Sequence, residues 1–471
     1  MTTECTQRAF RFDRQSGREV VARFDGGCIT SDGGGLLLRE VERRTGILRQ
    51  FAGCFQDHRD PAQVEHSVRE LVSQRVYGLA LGYEDLNDHE DLRRDPLLAT
   101  LVGKADPLGR DRVRVRDVGA ALAGKSTLNR LELTLPEAGP QSRYKKIVLD
   151  GAAVDRLLVE VFLQAHARAP QQIVLDLDAT DDPLHGRQEG RFFHGYYGCY
   201  CYLPLYIFCG EHLLCARLRR SDIDASAGAL EEVQRIVEQI RVRWPRVRIV
   251  LRADSGFARE GIMAWCEESG VDYVFGLAKN ARLNRVLGRE LHQVQRECER
   301  TGQPARAFKD FAYKTRKSWS RARRVVGKAE HLPDKSNPRF VVTSLSSEAW
   351  DARALYEDLY CARGDMENRI KEQQLYLFAD RTSTATLRGN QIRLYLSSVA
   401  YLLLHALRRL GLKGTALARA QCHTIRLKLL KIGAQIRVTV RKVWVSLASG
   451  SPYADLFAHV WANLRAVPLR T

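Results

Sequence analysis

Residues 172–179 read QIVLDLDA, an apolar run with two acids two positions apart near its end. In a strand alternate side chains share a face, so Asp176 and Asp178 would point the same way while the apolar residues fill a core. A second run, RVRIVLRAD at 246–254, ends on Asp254 and is followed by Ser-Gly, which indicates a turn. Acids at the ends of two buried strands predict a site at one edge of a sheet.

Strands and helices alternate around these two runs. Apolar strands joined by short turns occupy 172–220, a helix is predicted at 226–243, and a helix, a strand and another helix follow to about 300. This order predicts a mixed α/β sheet and resembles a ribonuclease-H-like core.

A long helix is predicted from about 349 to 378. One of its faces carries polar residues at intervals of three and four: Tyr360, Arg363, Glu367, Lys371 and Gln374. A carboxylate on this face, with those at the two strand ends, would supply the oxygen ligands of Mg²⁺ ions that assist an in-line phosphoryl displacement. Arg363 would hold a phosphate through two hydrogen bonds, although its spacing from Glu367 is also typical of a surface ion pair.

A basic, β-rich insertion is predicted before this helix, at 305–346, where apolar and polar residues alternate. Within it, 309–339 holds ten Lys and Arg against three acids, a balance that attracts polyanions. Trp319 lies among these basic residues in KSWSR. It is a candidate for stacking on a DNA base, and packing between strands explains its position equally well.

The charge of the whole chain also favours a nucleic-acid partner. Its 471 residues include 74 Lys and Arg against 56 Asp and Glu, a formal charge of +18. The N-terminus lacks the apolar region of a secretory signal, and the longest apolar stretch, at 394–407, is too short to span a bilayer. We therefore expect a cytoplasmic protein with no membrane partner.

A phosphate-binding loop pattern occurs at 119–127, where GAALAGKST satisfies G-x-x-x-x-G-K-[ST]. Such a loop needs a buried strand before it, and the preceding DRVRVRDV carries three Arg within six residues. That composition is poor for a central strand, so ATP is not expected as a ligand.

The favoured interpretation of the same segment is a pair of helices. The first would cover 118–123, residues 124–125 would form a turn, and the second would cover 126–133, capped by its first Ser or Thr. Lys125 and Arg130 are then predicted to bind DNA.

Five motifs combine into a family resemblance. They are YEDLNDHEDLRRDP at 83–96, LDLDAT at 175–180, GYYGCYCYLPLYIF at 195–208, RADSGF at 252–257 and Tyr360-x-x-Arg363-x-x-x-Glu367. Together they cover most of the chain. It resembles the DDE transposases of bacterial insertion sequences, in particular insertion-sequence family 1380, which is related to the insertion-sequence 4 group.

The resemblance implies that Asp178, Asp254 and Glu367 are the catalytic acids and the metal ligands. Spacing alone does not decide between Asp176 and Asp178. Two Mg²⁺ ions are implied, which Mn²⁺ can replace, and no other cofactor. The implied reaction is cut-and-paste excision and strand transfer on double-stranded DNA bearing terminal inverted repeats, by a homodimer assembled on the DNA.

The DNA-binding residues of the site carry one departure from the family pattern. The resemblance assigns Tyr360, Arg363 and Lys371 to DNA. In the related group a Lys often follows the catalytic Glu at seven positions, and here that position is Gln374. A lysine, Lys371, lies four positions after Glu367 instead. The sequence therefore does not decide which residue, if any, takes the role of the family's lysine.

These inferences combine into an α/β protein with a ribonuclease-H-like mixed-sheet catalytic core, a β-rich insertion, and helical N- and C-terminal regions. The predicted domains are a mainly helical DNA-binding domain at 1–145, the core at 146–304 and 347–400, the insertion at 305–346, and a helical DNA-binding or dimerisation region at 401–471. A bacterial, nucleoid-associated location follows from the resemblance. The alternative function is a catalytically inactive DNA-binding protein with an architectural or regulatory role.

Overall fold

The computed structural model describes residues 9–469. The chain divides into two compact units, one made of the chain up to Leu149 together with the chain from Val399 onward, and one made of Asp150–Ser398. The predicted terminal regions include residues 1–8 and 470–471, which lie outside the described residues.

The first unit is mainly helical, with short strands. Its strands are Phe10–Gln15, Arg18–Ala22, Cys28–Thr30, Phe55–Asp57, Ile147–Leu149, Ala434–Val438 and Val443–Leu447. Its helices are Leu36–Thr45, Ile47–Ala52, Val68–Leu81, His89–Leu92, Pro96–Val102, Lys125–Glu132, Cys422–Ile425 and Ala454–Ala466. Helix Val68–Leu81 begins at a capping box, because the Ser67 hydroxyl accepts from the Glu70 N–H and the Glu70 carboxylate accepts from the Ser67 N–H.

The predicted helix at 118–123 is wrong. Gly119 has a positive φ of 86°, and residues 111–118 contain a short 3-10 turn and no strand. The backbone groups of this segment bond to side chains: Gln74 pairs with both the N–H and the carbonyl of Ala123, and Arg112 donates to the Ala120 carbonyl at 2.6 Å. The second predicted helix exists as Lys125–Glu132, and Gly124 caps it without a side-chain bond.

The second unit is built on one mixed sheet, which confirms the predicted α/β class. In chain order its strands are β1 (Gln172–Ala179), β2 (Leu205–Cys209), β3 (His212–Arg217), β4 (Arg248–Ala253), β5 (Asp272–Leu277), β6 (Ala305–Tyr313), β7 (Arg323–Leu332), β8 (Lys335–Ser336) and β9 (Arg339–Thr343). They lie in the order β3-β2-β1-β4-β5-β9-β7-β6, with β8 paired to β7. Strands β1, β4 and β5 are parallel, and the other pairs are antiparallel.

Both faces of this sheet are covered, which explains the continuous apolar runs of its parallel strands. Ile249 and Leu251 of β4 pack into one core beneath the helices. Val250, between them, packs into a second core with Leu355 and Leu359. The helices of the unit are Gly151–Gln164, Ala229–Arg243, Glu260–Ser269, Ala281–Val286, Gly288–Thr301 and Leu387–Leu410, the last of which contains the boundary between the units.

Two segments add strands to this framework. The basic segment predicted as an insertion forms β6 to β9 and extends the main sheet from β5. Between β1 and β2, three short strands form a small separate sheet: Asp182–Pro183, Phe192–His194 and Cys199–Tyr202.

The long predicted helix is continuous over residues 352–376, called the late helix below. It consists of α-helix at Ala352–Ala354 and Gly364–Lys371, π-helical turns at Leu355–Tyr360 and Glu372–Tyr376, and a 3-10 turn at Cys361–Arg363. Asp351 begins it by accepting from the N–H groups of Arg353 and Ala354. A π turn leaves carbonyls without their usual helical donors, so other groups can bond to them.

The apolar stretch at 394–407 lies within helix Leu387–Leu410 and belongs to the core. Leu394, Leu396 and Leu403 are fully buried. Among residues 9–469, no helix combines the length and the apolar character that crossing a membrane requires.

Candidate active site

The three predicted catalytic acids line one cavity of about 470 Å³. Asp178 is the penultimate residue of β1, Asp254 directly follows β4, and Glu367 lies on the late helix. Because β1 and β4 are parallel neighbours, their C-terminal ends meet at the same edge of the sheet. The late helix brings the third carboxylate to that edge.

Arg363 lies between two of these acids. Its guanidinium is 2.7 Å from a Glu367 carboxylate oxygen and 3.8 Å from one of Asp178. The side chains of Arg363 and Glu367 are 20% and 42% exposed, and the pair differs from an isolated surface ion pair because Arg363 also faces Asp178 within the cavity. The acids and this cation form one charged cluster.

The surroundings of Asp178 disfavour its negative charge. Burial is the largest cause and raises its pKa, the Arg363 guanidinium lowers it, and the charges of Asp254 and Glu367 raise it, so that the pKa is about 7. A carboxylate that is repelled by two others is stabilised in its charged form when a cation joins the group.

Asp176, the other acid of β1, has a different place. It is buried and lies opposite Arg252 in the register of β1 and β4. The Arg252 guanidinium donates to both Asp176 carboxylate oxygens and, at 2.6 Å, to the carbonyl of Leu359. Leu359 lies in a π turn of the late helix, so this ion pair ties that helix to the sheet close to Arg363.

Tyr360 lies beneath the site. A β-carbon built on Gly276 of β5 would be 2.6 Å from the Tyr360 hydroxyl and 2.9 Å from the Ser255 nitrogen. Only glycine at position 276 therefore allows the late helix and the turn after Asp254 to lie this close to β5.

Lys371 and Gln374 also line the cavity. The Gln374 side-chain amide donates to the Asp181 carbonyl at 3.1 Å and to the Asp182 carboxylate at 2.9 Å. Lys371 is exposed. Four of the five residues on the predicted helix face therefore reach the cavity, and Tyr360 supports it from below.

A comparison of the whole sequence with family models identifies the family of the chain. The model described as transposase DDE domain group 1 matches residues 12–469. The chain belongs to the DDE transposase family. Transposases of this family cleave DNA and join strands, and they generally use divalent metal ions.

Two further comparisons concern single proteins. No curated protein matches this transposase. Among solved structures, the cryo-EM structure of the piggyBac transposase synaptic complex with hairpin DNA is similar, with 9% identity and a TM-score of 0.39, over 85% of this chain and 80% of that one.

The side chains of the site fit a divalent cation chemically. Three carboxylates supply the oxygen donors that hard cations prefer, and Arg363 already holds a positive charge between two of them. In the described part of the chain, no three acidic, histidine or cysteine side chains converge closely enough to form a metal cluster.

Trp319 of the transposase is 5% exposed. Its ring meets Tyr313 edge to face at 5.8 Å between centroids, and the Arg323 guanidinium lies 5.5 Å from it. This position agrees with the packing alternative. A ring enclosed in this way is not accessible to a DNA base.

Lys125 and Arg130 belong to the first unit and do not line the cavity of the second. Both are exposed on helix Lys125–Glu132. The Lys125 ammonium donates to Asn87 at 3.2 Å, and the Arg130 guanidinium lies 5.2 Å from the Tyr144 ring. Their assignment to DNA stays a prediction.

Sequence reasoning missed three residues that line the cavity: His194, Tyr196 and Tyr197. The segment was predicted to be apolar strand and contributed a motif to the family resemblance, but none of its residues was assigned to the site. Gly195 and Gly198, on either side of the two tyrosines, were the available signal, because paired glycines within an aromatic run indicate a hairpin turn.

We expect Gly276→Ala to lower DNA cleavage about 100-fold, because displacement of a catalytic group by about 1 Å has effects of that size. The added methyl would push on Tyr360 and on the turn that positions Asp254. The measurement is the cleavage rate at saturating protein. Gly261→Ala is the matched control, since its β-carbon would meet nothing within 4 Å. Equal rates for the two variants would contradict the prediction.

We expect Asp178→Asn to stabilise the metal-free transposase at high pH. The pKa of Asp178 is raised from 3.8 to about 7 in the fold, so the folded state retains a proton that the unfolded chain releases, and stability falls as pH rises through this window. The Asn variant should gain roughly 4 kcal/mol in free energy of unfolding at pH 8 and little at pH 4. Urea denaturation in EDTA measures this. A gain that is equal at both pH values would contradict it.

Proposed function

We propose that the chain is the transposase of a bacterial insertion sequence of insertion-sequence family 1380, which excises the element from double-stranded DNA at its terminal inverted repeats and transfers the ends to a target. The observation that carries the proposal is the cavity lined together by Asp178, Asp254, Glu367 and Arg363. Three carboxylates and one arginine lining the same cavity suit the binding of metal ions and phosphate far better than they suit an apolar ligand.

In this proposal each side chain has a distinct role. Asp178, Asp254 and Glu367 hold two Mg²⁺ ions, which when bound stabilise the attacking and leaving oxygens of an in-line displacement. Arg363 leaves its carboxylate partners to hold a nonbridging phosphate oxygen pair, and Lys371 neutralises a neighbouring phosphate. Asp176 stays paired with Arg252 and positions the late helix. Water is the nucleophile of the first cut, and the freed 3′-hydroxyl is the nucleophile of strand transfer.

The catalytic core is proposed to be ribonuclease-H-like. The order β3-β2-β1-β4-β5, with β1, β4 and β5 parallel and two antiparallel strands at one side, supports this assignment. The first two acids at the ends of β1 and β4 support it as well.

The remaining parts of the chain are proposed to hold DNA. The helical terminal regions 1–145 and 401–471 would bind the element's ends, assisted by Lys125 and Arg130, in a homodimer assembled on DNA. The formal charge of +18 supports a polyanionic partner, and binding should weaken steeply with salt. The protein is proposed to associate with the nucleoid and to need no ATP.

The test is excision from a plasmid that carries the DNA flanking this coding sequence on both sides. Purified wild-type protein with Mg²⁺ and without ATP should release the fragment, and the triple variant Asp178→Asn, Asp254→Asn, Glu367→Gln should bind the plasmid without cutting it. Binding without cutting by the wild type would instead favour the alternative, a catalytically inactive DNA-binding protein. The presence of all three acids in one cavity argues against that alternative.

A further inference from the structure

We propose that the basic ribbon, which is strands Ala434–Val438 and Val443–Leu447 with the turn 439–442 between them, enters the major groove of double-stranded DNA and recognises the element's ends, with Arg437 contacting the edge of a base. The inference rests on the proposed function. It goes further by naming which part of the C-terminal region recognises sequence and in which groove.

The outer half of the ribbon is free of the rest of the first unit. Strand Cys28–Thr30 pairs with residues 434–436 only, and residues 437–444 are exposed apart from the half-buried Val438. The turn is closed by hydrogen bonds in both directions. The Thr439 N–H donates to the Lys442 carbonyl at 2.8 Å, and the Lys442 N–H donates to the Thr439 hydroxyl at 3.1 Å. The outer half is therefore an exposed and well-formed two-stranded ribbon.

The dimensions of this outer half suit one groove of DNA. The major groove is about 12 Å wide and about 8.5 Å deep and admits a two-stranded ribbon, whereas the minor groove is only about 6 Å wide. Four residues on each side of the tip, at about 3.3 Å per residue, give a length of about 13 Å. The free part of the ribbon is therefore long enough to reach the floor of the major groove, and two paired strands are too wide for the minor groove.

The two faces of the ribbon differ in chemistry. Ile436 is buried on the inner face, while Arg437 lies on the outer face with Trp444, its partner in the strand register. Gln435 and Ser446, the next pair on that face, are exposed as well. Arginine, glutamine and serine are side chains that hydrogen-bond to base edges. The exposed face therefore carries groups that can recognise sequence.

Arg437 is the residue on this face with the best-defined position. Its guanidinium lies 5.7 Å from the centre of the Trp444 ring, and the Lys442 ammonium lies 5.1 Å from the same ring. Gln435 already donates to the Gly26 carbonyl at 3.1 Å, so its amide is partly engaged. The Arg437 guanidinium, supported by an aromatic ring, is free to donate two hydrogen bonds to a guanine.

The charge around the ribbon favours DNA over a protein partner. Residues 399–454 contain ten Lys and Arg and no Asp or Glu. At the base of the ribbon Lys431 is paired with Asp32 at 2.6 Å. In the described part of the chain, by contrast, Arg437, Arg441 and Lys442 have no acid within ion-pair distance. Three unneutralised cations on one exposed ribbon complement a polyanion.

The experiment measures equilibrium binding in EDTA, which separates recognition from cutting. The probes are a duplex taken from the DNA flanking this coding sequence and an unrelated duplex of equal length. Arg437→Ala should bind the flanking duplex about tenfold more weakly and lose much less on the unrelated duplex, because a contact to a base edge contributes only at the correct sequence. Arg437→Lys keeps the charge without the planar fork, so it should lose the preference for the flanking duplex and bind the unrelated one as the wild type does.

The matched control is Arg465→Ala. Arg465 is exposed on helix Ala454–Ala466 and lies 5.8 Å from the centre of the exposed Trp461 ring, so the same charge is removed from the same kind of environment outside the ribbon. Its preference for the flanking duplex should stay within about twofold of wild type. Because Arg437 is exposed, its variants should unfold at the wild-type temperature.

Methylation interference identifies the groove. Dimethyl sulfate modifies guanine N7 in the major groove and adenine N3 in the minor groove, so one reagent reports on both. Methylated guanine N7 should weaken binding of the wild type at specific positions of the flanking duplex. At least one of these positions should lose its effect in Arg437→Ala, because the group that contacts it is absent.

Several outcomes would overturn the inference. These are an Arg437→Ala variant that keeps the wild-type preference, interference confined to adenine N3, and a change in oligomeric mass in Arg437→Ala, which would assign the ribbon to a second copy of the chain. A wild type without preference for the flanking duplex would remove the proposed recognition of ends and the inference with it. A wild type that shows the predicted binding and interference but cuts no plasmid would contradict the proposed reaction and support the ribbon.

Discussion

Glu367→Gln should reduce DNA cleavage by about 10³-fold or more, because a metal ligand supplies several kcal/mol of transition-state stabilisation and each 1.36 kcal/mol is a factor of about ten. The amide has nearly the shape of the carboxylate and lacks its charge. It keeps an oxygen that can accept from Arg363, which is 2.7 Å away in the wild type, so the fold should be retained.

Asp365→Asn is the matched control for this variant. Asp365 lies two residues before Glu367 on the same α-helical segment and is exposed. Asp365→Asn removes the same charge from the same helix, and Asp365 does not line the cavity, so the cleavage rate of this variant should stay within about twofold of wild type. Single-turnover cleavage measures both variants. Equal losses in both, or none in Glu367→Gln, would contradict the role of Glu367.

Arg252→Met should destabilise the transposase by about 3–5 kcal/mol, the usual effect of removing one partner of a buried ion pair. Arg252 is 7% exposed, and the substitution leaves the buried Asp176 carboxylate and the Leu359 carbonyl without their donor. The late helix would lose its tie to the sheet, so cleavage should fall together with stability. Urea denaturation and single-turnover cleavage measure the two effects.

Two further variants separate burial from charge. Arg248 lies on the same strand, its side chain is 65% exposed, and its partner Asp272 is 3.9 Å away. Arg248→Met should therefore change the free energy of unfolding by less than about 0.5 kcal/mol. The double variant Asp176→Leu, Arg252→Met removes both buried charges and should recover most of the lost stability. If Arg252→Met lowered the free energy of unfolding no more than Arg248→Met does, the structural role of the buried Asp176–Arg252 pair would be contradicted.

The core strands could be predicted from the sequence because their signal is local. The run at 172–179 became β1 with the same bounds, and RVRIVLRAD contains β4. Buried parallel strands are apolar on both faces, and a terminal acid marks where each one leaves the core. The same locality made the helix face predictable, since a spacing of three and four survives even when part of the helix is π-helical.

The errors occurred where long-range contacts decide the structure. Residues 118–123 have a helix-like composition, but Gln74 and Arg112 bond to their backbone from outside the segment. Trp319 lies in a basic segment, yet Arg323 beside it is neutralised by Glu260 and Glu267, about 60 positions earlier in the chain. A sequence shows the cations and does not show which of them already have partners.

The choice between Asp176 and Asp178 depended on contacts of the same kind. Both acids share one face of β1, as predicted, and only the pairing with β4 places Arg252 opposite Asp176. The neighbour with a buried cation is a structural residue in this account. Asp178, which lines the cavity with Asp254 and Glu367, is the proposed metal ligand.

We propose that Asp178, Asp254 and Glu367 cut DNA with bound divalent cations. The most direct measurement is excision from the plasmid with the flanking DNA by wild-type protein in EDTA, in Mg²⁺ and in Mn²⁺, with Asp254→Asn in parallel. We expect the wild type to cut nothing in EDTA and to release the fragment in either metal, and we expect no cutting by Asp254→Asn in any buffer. Cutting that persists in EDTA, or in Asp254→Asn, would contradict it.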